Sequence, residues 1–123
     1  MSYKIDPEKL PEIRFVAGET QTRLFDVTLA DGSAFDLTGC TADFSIQRPD
    51  SRSGTPIFHK AMSVETVDDH AYLSLELTSA ETVAWFGMYV YQVSIRDSSD
   101  INHIPGHGDL IVANNIYHGF VGA

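Results

Sequence analysis

An all-β domain, a sandwich of antiparallel strands, is what this sequence predicts, and three observations carry the prediction. Apolar and polar residues alternate with period two along most of the chain, helical periodicity is nearly absent, and turn residues recur between the alternating runs. A length of 123 residues fits one domain with a single core.

The opening Met1 to Glu12 contains Pro7 and Pro11 and reads as an extended arm, because proline lacks the amide that a central strand must donate. Residues 13–113 then form the sandwich and 114–123 a C-terminal tail. From Thr22 onward Phe25, Val27 and Leu29 share one face, and Asp31-Gly32 marks a hairpin turn because Gly accepts the positive φ such a turn demands. Ala34 to Leu37 resumes an extended segment that Thr38-Gly39 breaks. Cys40, Ala42, Phe44 and Ile46 next alternate with polar residues and face the core. The segment RPDSRSGTP, entered through Pro49, is all turn chemistry and predicts a long exposed loop.

Ile57 to Met62 is a strand, Asp68-Asp69 a turn, and Ala71 to Leu77 a strand with Leu73, Leu75 and Leu77 on one side. Thr78-Ser79-Ala80-Glu81 has the form of a capping box, so a short helical turn is expected near 79–86, closed by Gly87. Met88 to Arg96 alternates most clearly, with Tyr89, Tyr91, Val93 and Ile95 together. Asp97 to Asp100 turns the chain, and Gly108 opens a final strand to Ala113. The expected core comprises Phe25, Val27, Phe44, Ile46, Leu73, Leu75, Tyr91, Val93 and Ile95. About seven or eight short strands without βαβ alternation favour a sandwich of immunoglobulin-like type over a barrel. The paired cysteines flanking a buried Trp that antibody-type domains carry are replaced by one Cys and a Trp85 placed on the helical turn.

Composition narrows the function. Seventeen acidic against eight basic residues give a net charge of −9 with no basic run, which excludes nucleic acid and anionic membranes as expected partners. No apolar run approaches the ~20 residues of a membrane-spanning helix, and MSYKIDPEKLPEIRF lacks the apolar stretch of a signal peptide, so a soluble chain not exported by that route is expected. A single Cys precludes an internal disulfide and a Cys-based zinc site.

The residues that bear chemistry do not converge on a motif. His103, His107 and Asp109 would offer two imidazoles and a carboxylate to a metal. However, Pro105 and Gly106 between them exclude the helical spacing of zinc proteases, and a loop with solvated histidines is expected instead. No serine sits in a G-x-S-x-G elbow, and no Gly-rich segment matches a phosphate or dinucleotide fingerprint. Cys40 alternates with core positions and reads as a small apolar residue. Asp68 and Asp69, adjacent in a turn, lack the separation of a glycosidase carboxylate pair. Neither an enzyme nor a cofactor or metal is expected.

The succession DGSAFDLTG, TADFSIQRPD, a variable loop, LTSAET, WFGMYVYQVSIRD and GDLIV resembles the N-terminal domain family of the phage baseplate upper protein, over roughly Ile13 to Val112. The resemblance implies an immunoglobulin-like module of phage or prophage tails and baseplates, made in the bacterial cytoplasm and built into the virion. Its partners would be other tail proteins. Asp36 to Gly39 match the turn before the second long strand, Arg48-Pro49-Asp50 its exit, and Gly87, Tyr89 and Tyr91 the entry to the strand after the helical turn. Family members usually continue into a coiled coil or receptor-binding region, so a stop at Ala123 points to a free-standing accessory subunit.

The expected function is therefore structural, with self-association or partner contact through exposed strand edges and the N-terminal arm. Ile5 and Leu10 are the arm's candidate interface residues, and Trp85 and Phe86 those of the domain. A carbohydrate- or receptor-binding module, using an aromatic floor, is the alternative.

Overall fold

A computed structural model describes residues 8–28, 33–51 and 54–117. The fold is all-β: seven strands and one helical turn in the order β1 (Glu8–Val16), β2 (Gln21–Phe25), β3 (Thr41–Gln47), β4 (Phe58–Val67), β5 (His70–Leu77), α1 (Ser79–Thr82), β6 (Gly87–Arg96) and β7 (Asn102–Ala113). They form one sheet, β1-β7-β6-β3-β4-β5-β2, curled into a half-barrel. The curl is made by β4. Its first half, Phe58 to Met62, pairs with β3, and its second half, Ser63 to Val67, pairs with β5.

Period-two alternation fills the concave side. Phe44 and Ile46 of β3, Leu73, Leu75 and Leu77 of β5, Tyr89, Tyr91, Val93 and Ile95 of β6, and Leu110 and Val112 of β7 are all buried. Val27, Phe35 and Leu37, from the segment between β2 and β3, close over this core. Of the expected core only Phe25 differs: it is half-buried, because β2 is an edge strand and its inward side opens on a cleft.

Several elements correct the sequence reading. Strand β1 begins at Glu8 and carries Pro11, inside the segment expected to be an arm. It tolerates proline because it lies at the sheet edge, with a register shift between Leu10 and Ile13. It also runs parallel to β7, so the sheet is not wholly antiparallel. Strand β2 stops at Phe25, short of Leu29. Beyond it Thr28 and Ala34 form an isolated antiparallel bridge. Asp31 and Gly32, expected at the turn between those two residues, lie outside the described residues, as do Ile5 and residues 1–7 and 118–123.

Strand β7 starts at Asn102 and not at Gly108, so His103 to His107 are strand residues and not loop. A shift of register between Val93 and Ile95 of β6 accommodates this extension. Gly108 accordingly lies within β7, opposite Tyr91, and not at a turn. A Cβ at this position would overlap the Tyr91 ring.

The turns that the sequence marks are present at the other positions. Thr38 and Gly39 form a turn in which Gly39 adopts φ +74°, with the Ser98 Cβ 3.1 Å from where its own Cβ would sit. Pro49 is in the turn that leaves β3. Asp68 and Asp69 both take positive φ, 50° and 64°, as a two-residue hairpin of mirror-image type requires. At α1 the Thr78 hydroxyl accepts from the Glu81 N–H, and the Glu81 carboxylate accepts from the Thr78 N–H at 2.8 Å, the reciprocal capping box. Burial pushes the Glu81 carboxyl up, but the bonds from Thr78 and Lys60 outweigh it and hold the group below its ordinary value.

Gly108→Ala is expected to destabilise the domain by ~1–3 kcal/mol, as overpacking of a filled core does. Denaturant unfolding of the two proteins checks this, and equal midpoints would show that the Tyr91 ring has room to move.

Candidate functional site

Two surfaces stand out, and local sequence builds each. The first begins where α1 ends. Trp85 donates its backbone N–H to Thr82 O, and its ring turns inward, meeting Phe58 edge-on at 5.0 Å with Tyr89 at 5.9 Å and Phe15 at 6.4 Å. Phe86 is thereby left outward and 60% exposed. Gly87, at φ +94°, lets the chain reverse into β6.

Arg48 fixes this corner. Its Nη1 donates to Phe86 O at 2.9 Å and to Met88 O at 3.1 Å, while its guanidinium lies 4.1 Å from the centroid of the Tyr89 ring. The Tyr89 hydroxyl accepts from the Phe86 N–H at 3.0 Å. Register then sets an apolar row on the convex side. Met88 is opposite Ile111, and Val16, paired with Ala113, is diagonal to it. Met88 is 53% exposed and Val16 40%. Met88, Ile111 and Val16 thus lie on the same side of three adjacent strands, with Arg14 opposite Ile111 and the exposed Phe86 at the entry to β6.

The second surface is a cleft. Among the described residues β1 and β2, though consecutive, do not pair with each other; each is paired on one side only. Their junction is tied to α1, where Thr82 Oγ1 accepts from the Gly18 N–H at 2.9 Å. From this closed end the strands splay around a cavity of about 450 Å³ lined by Leu10, Pro11, Ile13, Arg23, Phe25 and Val27, with Tyr91 at its floor.

The Tyr91 hydroxyl donates to Pro11 O where the β1 register slips, and its ring stacks on Phe44 with centroids 5.5 Å apart. Burial pushes its pKa up to about 12, with the Asp109 carboxylate adding to the shift and the Arg23 guanidinium opposing it. Arg23 Nη2 donates to Gln21 Oε1 at 2.9 Å, but its Nε is buried without a partner.

The remaining candidates do not assemble a site. His103 is buried, its ring edge-on to Phe35 at 5.5 Å and its Nε2 2.8 Å from Asp97 Oδ2; burial lowers its pKa. His107 is exposed and meets Gln92 Oε1 at 2.8 Å. The two imidazoles therefore serve different partners, and only His107 is solvated as expected. Among the described residues no group of three His, Cys, Asp or Glu is placed to hold a metal. The Cys40 thiol is pushed up by burial and by the carboxylates of Asp97 and Asp36, which disfavours the reactive thiolate.

Of the expected interface residues, Leu10 lines the cleft, Phe86 is on the apolar face, and Trp85 is half-buried beneath it. Sequence reasoning missed Arg23, Arg48, Met88 and Val16. Met88 and Val16 are each the outward member of a period-two strand, a signal that was available. The Arg48 clamp spans 38 residues to Phe86 and leaves no local trace. A scan against family models found no match for the chain, and a search of curated proteins found none.

Tyr91 makes stability depend on alkaline pH. Its folded-state pKa is raised, so its contribution is complete below pH ~10 and is lost as pH climbs through the window from the unfolded value of 10.0 to about 12. Across that window wild-type stability should fall by up to ~3 kcal/mol more than that of Tyr91→Phe. Parallel denaturant titrations at pH 9 to 12 measure the difference, and identical slopes would refute the assignment.

Proposed function

We propose that this domain is a non-enzymatic structural and assembly module of a phage or prophage tail or baseplate, acting through protein–protein surfaces. The observation that carries the proposal is the pair of exposed apolar residues Phe86 and Met88, whose backbone carbonyls Arg48 holds, beside Ile111 and Val16 on an otherwise acidic domain. Rigidly presented apolar area with a charged border is what a protein contact requires.

The same proposal assigns the half-barrel to the immunoglobulin-like sandwiches, as the resemblance to the baseplate upper protein implies. Several features support it. The order β4-β5-β2 matches D-E-B of such domains, and β3-β6-β7 matches C-F-G. Phe25 of β2 and Tyr91 of β6, with centroids 6.0 Å apart, stand where antibody domains carry the inter-sheet disulfide, and Phe44 of β3 stands in place of the Trp. Tyr89, two residues before Tyr91, bonds back to the Phe86 backbone, like the tyrosine corner. The first strand departs from the pattern by joining β7 instead of β2.

Light scattering on an eluting column tests the surface. The wild type should give a concentration-dependent mass above 13.6 kDa, and Phe86→Asp combined with Met88→Asp should return it to the monomer. A wild type that stays monomeric, with the radius of gyration of roughly 14 Å expected for this length, would remove self-association through this face. The tail assignment predicts that the chain is found by mass spectrometry in purified virions at a fixed ratio to tail proteins. Its absence from intact particles would overturn that assignment.

A further inference from the structure

We infer that the cleft between β1 and β2 is a strand-addition site for an extended segment of a protein partner that carries an Asp or Glu side chain among apolar residues. This rests on the reading of the domain as a module that works through protein contacts, but it uses a different surface from the Phe86–Met88 face.

Three features of the cleft specify the occupant. Its walls are two strand edges with no neighbour on the side facing the cavity among the described residues, so the backbone groups of β2 that point away from β5, between Gln21 and Phe25, are available to a further strand. Leu10, Ile13, Phe25 and Val27 supply apolar lining for the alternate side chains of such a strand.

Arg23 supplies the polar requirement. The rim carboxylates already have partners: Glu12 meets the Arg14 guanidinium at 3.2 Å, and Asp26 Oδ1 lies 2.8 Å from His70 Nε2. Arg23 has no carboxylate within ion-pair distance among the described residues, and its buried Nε lacks an acceptor altogether. A buried donor left unmade is costly, and a carboxylate set side-on to Nε and Nη2 satisfies it with two charge-assisted bonds. Arg23 also explains selectivity, since an inward-pointing charge on an edge strand opposes pairing with an unmatched apolar strand. A segment without the acid would bury that charge unpaired.

The test uses the full chain, isotopically labelled, titrated with three blocked heptapeptides of alternating Val and Thr whose central residue is Glu, Gln or Lys. The Glu peptide should shift amide resonances of β1 and β2 and bind at least ~10-fold more tightly than the other two. In Arg23→Met, which keeps the stem of the side chain, the preference for Glu should vanish while apolar binding persists. Propionate should compete only at far higher concentration than the peptide.

Three peptides that bind equally, shifts that map away from β1 and β2, or no binding at millimolar peptide would each overturn the inference. So would propionate competing as well as the peptide, which would make the cleft a small-carboxylate site. Because the wild-type peptide series decides by itself, the conclusion survives a variant that fails to fold. Loss of this site with the Phe86–Met88 association intact would leave the assembly reading standing.

Discussion

The fold turns on one ring. Tyr91 is fully buried at the centre of β6, stacked on Phe44, tilted against Phe25, seated over the bare backbone of Gly108, and tied by its hydroxyl to Pro11 O. Those contacts reach β3, β2, β7 and β1, so a single side chain links both edges of the sheet to its middle. The hydroxyl bond is what makes so large a polar residue tolerable there: an unpaired hydroxyl in this core would cost several times what the bond contributes net. It also requires a β1 carbonyl that is not used up by the ladder. The register slip between Leu10 and Ile13 supplies one, and Pro11 at the slip keeps β1 from accepting a regular neighbour.

Much of this architecture was legible because the pattern is strictly alternating wherever a strand has one face in the core. The strands β3, β5 and β6 were readable for that reason, as were the Thr78–Glu81 cap and the Asp68-Asp69 turn, each written in a few adjacent residues. The failures share a different cause. Strand β1 contains a proline that is forbidden only in central strands, and whether a strand is central is a property of the sheet. The start of β7 contains Pro105 and Gly106, which read locally as loop, so the strand is expected only from Gly108. Gly108 is in fact set by the size of a ring contributed by another strand.

The candidate surfaces were legible only in outline. Phe86 announces itself as an aromatic next to a glycine, but nothing nearby in the sequence says that Arg48 holds the backbone on either side of that glycine. Arg23 is still less visible. On a strand reading Gln-Thr-Arg-Leu-Phe, the inward face assigned to Phe25 and Val27 carries Arg23 with it, yet composition alone gives no reason to place a charge there. The structure keeps that parity: Leu24 is 45% exposed while Arg23 faces the cleft. Phe25 sets this parity, since its contact with Tyr91 fixes the inward face of β2 and Arg23 must follow at two residues' distance.

An inward arginine on an edge strand of a domain with net charge −9 then acquires a specific meaning. At long range the protein repels acidic partners, but that repulsion is screened over about 8 Å at physiological salt. Within the cleft the local arrangement differs, because Glu12 is paired with Arg14 and Asp26 is bonded to His70, leaving Arg23 without a carboxylate partner among the described residues. A pairing made there, beside the apolar Leu10, Ile13 and Phe25, would be screened less than the same pairing on the exterior. General repulsion combined with one local point of attraction favours a carboxylate presented by the cleft's occupant over one met elsewhere on the surface.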